Sequence, residues 1–97
     1  LGACHALELP FVWNNLAQRG VATITGEGPE RQPIADRMHA SWLAFVRQGD
    51  PTAPDAPTWP AYDLTRRAVK VFDVRDAFED DPGASERHLW EALAAGR

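Results

Sequence analysis

The sequence predicts a chain of mixed α and β class in which two helices flank a short antiparallel hairpin. Three patterns lead to this prediction. Apolar residues recur at helical spacing within residues 33–49, a partly β-branched and aromatic run begins at Ala68, and a second helical pattern begins at Ser85. The 97 residues suffice for one small domain with a modest core.

Residues 1–25 form the first predicted segment, which consists of a loop and a following turn. Residues 1–13 are rich in apolar side chains and contain no turn signal, which predicts that they are buried in a larger protein. Pro10 is poorly tolerated in the interior of a helix. We therefore expect a loop through His5 followed by only a short helical turn.

A long amphipathic helix is predicted over residues 33–49. Pro33 suits the first helical position, and Gly49 followed by Asp50 and Pro51 is a C-terminal stop signal. The large residues at helical spacing, here called the apolar stripe, are Ile34, Met38, Trp42, Phe45 and Val46. This stripe requires a partner surface.

Residues 50–60 contain four prolines, which predicts an extended connector without regular structure. We expect Trp59 and Tyr62 to hold this connector in place. The other aromatic residues at helical or hairpin spacing are assigned to packing in the core; they are Trp42, Phe45, Phe72 and Trp90.

A hairpin is predicted over residues 68–80, with a strand in Ala68–Val74 and a short return strand in Ala77–Asp80. The last helix is predicted over residues 85–95. Ser85 is a plausible N-cap for it, and Gly96 marks its end.

Composition excludes several classes of function. The net charge of −4 argues against a nucleic-acid or anionic-membrane partner. The chain contains no apolar run near the roughly 20 residues that a membrane-spanning helix needs. A single cysteine, Cys4, cannot form an internal disulfide, so cysteine usage does not indicate a compartment and the localisation stays open.

Four elements carry a resemblance to a known family. The run from Gly2 to Val12, Gly-Ala-Cys-His-Ala-Leu-Glu-Leu-Pro-Phe-Val, resembles the segment that carries the catalytic histidine of the type B carboxylesterases, which include the cholinesterases and para-nitrobenzyl esterases. The run from Ser41 to Pro51 resembles the family's late helix and its Gly-Asp-Pro turn. The run from Trp59 to Asp63 is similar to its Trp-Pro-x-Tyr element. The residues from Ala68 to Asp73, then Asp81-Pro82 and Ser85-Glu86-Arg87, resemble its final hairpin and last helix, so order and spacing agree along nearly the whole chain.

The resemblance implies the C-terminal portion of an α/β-hydrolase fold, with His5 as the general base of a serine esterase. A lone histidine next to Cys4 would by itself be interpreted as structural, and the resemblance reverses that interpretation. In this fold the triad order is Ser, Asp or Glu, then His, and no Gly-x-Ser-x-Gly motif occurs here. The nucleophile and acid are expected upstream, and the chain alone is expected to be inactive.

Two further residues take roles from the resemblance. Glu8, three positions after His5, matches a buried carboxylate that supports the site from behind the reacting groups and is not the triad acid; an exposed glutamate at a helix start is the alternative. Asn14 stands where the family usually has glycine, which predicts a positive φ.

No cofactor and no metal are expected for this activity, because a serine esterase forms an acyl-enzyme with side chains alone. His39 and His88 share no metal-ligand spacing with Cys4 or His5. The expected partners are a small-molecule ester for the intact enzyme, the upstream part of the same protein, and a second copy of the chain through self-association. The alternative is a stand-alone interaction module that uses the apolar stripe.

Overall fold

The computed structural model describes residues 2–97, so Leu1, the first position of the predicted segment 1–25, lies outside the described residues. The elements in chain order are α1 (Leu9–Val12), α2 (Val21–Thr25), α3 (Arg31–Gln48), β1 (Ala68–Val71), β2 (Ala77–Asp80) and α4 (Ala84–Ala95). The two long helices and the antiparallel hairpin that the sequence predicts are confirmed. The short helix α2 is an element that the sequence patterns do not predict.

The chain consists of two compact units. The first contains residues up to Trp59 together with Phe72–Arg75, and the second contains Pro60–Val71 and Asp76–Arg97. The first unit therefore holds helices α1 to α3, and the second holds the paired strands and α4.

Helix α3 of the first unit begins at Arg31, which corrects the expectation that Pro33 is the first helical residue. Proline is compatible with its observed place in the first turn, because the first N–H groups of a helix have no intrahelical partner. Gly49 ends the helix with φ 75° and donates its N–H to the Phe45 carbonyl at 2.8 Å. The predicted stop at Gly49 is confirmed.

The core of the first unit consists mostly of small residues. Ala35, Ser41 and Ala44 are the buried residues of α3, and Leu16 and Ala53 are buried beside them in the same unit. Small side chains allow other backbone segments to approach the helix closely.

The large residues of the apolar stripe lie outside this core. Trp42 is 54% exposed, Phe45 53% and Val46 76%. The assignment of Trp42 and Phe45 to the core is therefore wrong for this chain. The reason is that the contacts within the unit bury the alanine positions of α3 and leave about half or more of each bulky side chain exposed.

The connector of residues 50–60 contains no helix or strand, as its prolines predict. Trp59 holds it in place. The Trp59 ring meets the Phe72 ring edge-on at 6.0 Å between centroids, and the backbone N–H of Trp59 donates to the Thr52 hydroxyl at 2.9 Å. Tyr62, in contrast, is 61% exposed, so its predicted anchoring role is wrong.

The second unit contains the hairpin, in which Ala68 pairs with Asp80 and Val71 with Ala77. Strand β1 stops at Val71, three residues before the predicted end at Val74, because residues 73–75 bend into the connection to β2. Lys70 keeps only 6% of its side chain exposed, with its ammonium 3.8 Å from Asp76.

Helix α4 begins at Ala84 with Gly83 as its N-cap residue, so the prediction of Ser85 as N-cap is wrong. Ser85 already lies inside the helix, where its hydroxyl donates to Glu86 at 2.8 Å. Trp90 on this helix is 68% exposed, which also corrects its assignment to the core. Within residues 2–97, no helix is both long and apolar enough to cross a membrane.

Candidate functional site

His5 lies in a hydrogen-bonded turn that leads directly into helix α1. The Leu7 N–H donates to the Cys4 carbonyl at 3.3 Å, and the Leu9 N–H donates to the Ala6 carbonyl at 3.2 Å. Ala6 has φ 65°, in the left-handed region that few non-glycine residues adopt. His5 itself is exposed. The turn therefore presents the imidazole at the surface of the chain.

Glu8 is the N-cap residue of α1, and its backbone carbonyl accepts from Phe11 and Val12 at 2.9 Å each. The Glu8 side chain is exposed in this chain. Among residues 2–97, no hydrogen bond joins the His5 and Glu8 side chains. The exposed position fits the alternative of a helix-start glutamate, while burial of Glu8 would require residues from outside this chain.

The turn after α1 confirms the expectation for Asn14, which has φ 51°. Its side chain makes two hydrogen bonds to helix α3. The Asn14 Nδ2 donates to Asp36 Oδ1 at 3.0 Å, and Gln32 Nε2 donates to Asn14 Oδ1 at 2.7 Å. Gln32 Nε2 also donates to Asp36 Oδ1 at 2.8 Å. These three side chains therefore form a closed polar cluster.

The hydrogen bonds from Gln32 and Asn14 hold the pKa of Asp36 below its usual value. Each donor stabilises the ionised carboxylate, which cannot donate in return. The cluster therefore favours the charged form of Asp36, although a neutral carbonyl oxygen at this position could accept the same bonds.

A second contact joins α1 to α3. His39 Nδ1 lies 2.6 Å from the Val12 carbonyl oxygen, and because a carbonyl can only accept, Nδ1 carries the proton in this bond. The sequence patterns assign no partner to His39. The only signal available was that Gln32, Asp36 and His39 recur at intervals of four and three residues on one side of α3.

An apolar groove of about 430 Å³ lies beside this contact. Glu8, Trp13, His39 and Trp42 contribute to its walls. Trp13 is 69% exposed, so the groove opens to solvent. Because Glu8 contributes to its wall, the groove lies next to the His5 turn.

The other candidate ligands are dispersed. Cys4 is an exposed free thiol, and His88 lies on the exposed side of α4. Among residues 2–97, no group of three His, Cys, Asp or Glu side chains is placed to hold a metal ion.

Comparison with solved structures relates the whole arrangement to one family. A Geobacillus stearothermophilus carboxylesterase matches 91% of this chain with 52% sequence identity and a TM-score of 0.79, and the match covers 19% of that protein. The chain belongs to the carboxylesterase family. A para-nitrobenzyl esterase structure matches 87% of it at 31% identity with a TM-score of 0.77. No family model matches the chain.

Curated relatives agree with this membership. The phenmedipham hydrolase of Pseudarthrobacter oxydans is 38% identical over 73 residues, and the para-nitrobenzyl esterase of Bacillus subtilis is 34% identical over 88 residues. These matches cover 73% and 88% of this carboxylesterase chain but only 15% and 17% of the two relatives. The helices and hairpin described above therefore form one portion of an α/β-hydrolase fold.

Proposed function

We propose that this chain is the C-terminal part of a serine carboxylesterase and supplies His5 as its general base. The observation that carries the proposal is the position of His5. It lies exposed in the turn before α1, within a chain of which 91% matches a carboxylesterase structure at 52% identity. An exposed imidazole can reach a hydroxyl group that another part of the polypeptide brings to it.

In the proposed reaction, an upstream serine hydroxyl attacks the ester carbonyl carbon while His5 accepts the hydroxyl proton. The tetrahedral intermediate collapses to an acyl-enzyme, and His5 returns the proton to the leaving alkoxide. Water then attacks the acyl carbon while His5 accepts a proton from it. His5 returns this proton to the serine oxygen as the carboxylic acid leaves. Donors from upstream stabilise the oxyanion, and the chain alone is inactive because it has neither nucleophile nor triad acid.

Glu8 is proposed to support this site from behind His5. Its position at the start of α1, three residues after the histidine, keeps the carboxyl close to the His5 turn in the chain. The upstream part of the protein would cover Glu8 together with the apolar groove. The relatives named above are esterases or hydrolases by name, so they lend no support to a stand-alone interaction module.

Substitution of His5 tests the proposal in the full-length esterase. His5→Ala should lower kcat for a p-nitrophenyl ester by roughly three to six orders of magnitude, the loss typical of removing a triad member. His88→Ala is the matched control, since His88 is an exposed histidine in the second unit. Equal kcat values for His5→Ala and the unsubstituted enzyme would refute the proposal.

A further inference from the structure

We propose that Asn14, Gln32 and Asp36 form a clasp that positions the His5 turn, with Asp36 as its central acceptor. This inference rests on the proposed function, in which His5 is the general base. The clasp residues touch no substrate in this scheme, so they act as positioning residues through the backbone that leads to His5.

The geometry of the clasp is closed, since each of its three side chains is bonded to the other two at 2.7 to 3.0 Å. Gln32 and Asp36 are four residues apart on α3, which places them on one face of the helix. Asn14 completes the cluster from the turn after α1. The clasp therefore joins two segments that are 18 and 22 residues apart in sequence.

The backbone of Asn14 indicates that this turn is held in place. A non-glycine residue at φ 51° is in a sparsely populated region and persists where its surroundings determine it strongly. The two side-chain hydrogen bonds from Asn14 to α3 hold the residue in this conformation. They fix the direction in which the chain leaves α1.

A continuous series of short hydrogen-bonded turns connects the clasp to His5. Three backbone N–H groups donate in turn to carbonyl oxygens three or four residues earlier. These bonds are Asn14 to Phe11 at 3.1 Å, Val12 to Glu8 at 2.9 Å and Leu9 to Ala6 at 3.2 Å. The His39 contact to the Val12 carbonyl at 2.6 Å holds the middle of this series on α3. A shift at Asn14 would therefore move the turn that carries His5.

The position of a general base matters because it must remain within hydrogen-bond reach of the nucleophile. A displacement of about 1 Å can lower a rate by about 100-fold. Loss of the clasp should therefore reduce turnover without changing the groups that bind the substrate.

Hydrogen exchange in the full-length esterase tests the structural part of the inference. In Asp36→Ala, the amides of Val12, Trp13 and Asn14 should exchange at least about fivefold faster, because local opening becomes easier. Asp50→Ala is the matched control: Asp50 is also exposed and accepts an N–H, from Thr52 at 2.8 Å, but lies at the other end of α3. Unchanged exchange of these amides in Asp36→Ala would overturn the proposal.

Two further variants should give smaller increases in the exchange rate than Asp36→Ala. Asp36→Asn keeps an oxygen that can accept from Asn14, so it should remain close to the unsubstituted chain. Gln32→Ala removes two of the three bonds but keeps the 3.0 Å bond from Asn14 to Asp36, so its increase should be intermediate. An equal increase in Asp36→Asn and Asp36→Ala would contradict the clasp geometry.

Kinetics in the full-length esterase test the functional part. Asp36→Ala should lower kcat by about 10- to 100-fold with KM changed less than about twofold, and Asp36→Asn should restore most of the loss. If His5→Ala abolishes turnover while Asp36→Ala matches Asp50→Ala, the clasp proposal alone fails. If His5→Ala leaves kcat unchanged, the proposed function fails, and the exchange data still decide whether the clasp holds the turn.

Discussion

Arg87 donates two hydrogen bonds to Asp81, one from Nη2 to Oδ2 at 2.5 Å and one from Nε to Oδ1 at 3.4 Å. Asp81 follows β2 directly, and Arg87 lies in the first turns of α4. The pair therefore connects the end of the hairpin to the start of the last helix. Arg87 also donates to Glu91 at 2.8 Å, one turn further along α4.

Acid should weaken this connection. The hydrogen bond from Arg87 holds the pKa of Asp81 below its usual value. Because the folded pKa is below the unfolded one, the stabilisation is fully present above about pH 4 and is lost as the pH falls through the folded pKa. An NMR titration of the Asp81 carboxyl carbon measures this directly.

Arg87→Gln should raise the pKa of Asp81 towards its usual value. The pKa of Asp36 is the internal control, since its hydrogen bonds come from Gln32 and Asn14 and not from Arg87. An Asp81 titration that is the same with and without Arg87 would exclude the arginine as the cause.

The role of Glu8 is separable from that of His5 in the full-length esterase. Glu8→Gln keeps the shape of the side chain and removes its charge. It should lower kcat by about 10- to 100-fold, the loss that is typical when a residue supporting the ligands of a metal site is substituted. Steady-state kinetics beside His5→Ala provide the comparison. If the two variants lose the same factor in kcat, Glu8 must be reconsidered as the triad acid.

Substitutions at Asn14 separate its backbone role from its side-chain role. Asn14→Gly keeps the positive φ and loses two exposed hydrogen bonds, so it should destabilise the chain by up to about 1 kcal/mol. Asn14→Val also places a β-branched residue at φ 51°, which should cost a further 1 to 2 kcal/mol or so. Urea unfolding of both variants in the full-length esterase measures the difference, and equal midpoints would contradict the backbone argument.

The exposed apolar stripe should make the isolated chain self-associate or remain loosely packed. Burial of a large apolar side chain is worth about 1.5 to 3 kcal/mol, which favours covering Trp42, Phe45 and Val46. Sedimentation at micromolar concentration, with dye binding, tests this expectation. Trp42→Ser with Phe45→Ser should reduce association, whereas Leu64→Ser, at a position 73% exposed in the second unit, should not.

A compact monomer that unfolds cooperatively and binds no dye would contradict the expectation. It would show that contacts within the chain suffice to order the stripe in water.

Local patterns predicted the elements of this chain well, because periodicity and turn residues act over a few positions. Gly49 ends α3 as predicted, and the return strand Ala77–Asp80 has its predicted bounds. The patterns were wrong at positions that residue type alone does not determine. Ser85 is predicted as the N-cap from its residue type, but α4 begins two residues earlier than that choice assumes, with Gly83 as its N-cap residue.

The candidate site was predictable to the extent that it is contained in one segment. The roles of His5 and Glu8 rest on a contiguous motif and its resemblance to a family and stay predictions, whereas the predicted positive φ of Asn14 is confirmed. The bonds of Asn14 to Gln32 and Asp36 cross 18 and 22 residues, and neither composition nor helical spacing predicts such a pairing. Its physical origin is the docking of α1 on α3, which only the folded chain displays.

Large side chains are usually the positions most sensitive to substitution, because they fill the core. In the first unit the core consists mostly of alanine, and this relation is reversed. Ala35 is 0% exposed, so truncation has almost nothing to remove there, whereas extra methyl groups would have to displace packed atoms at a cost of about 1 to 3 kcal/mol. For this chain by itself, sequence drift is therefore restricted most at its smallest side chains. Random mutagenesis would leave Val46 variable and hold Ala35 fixed.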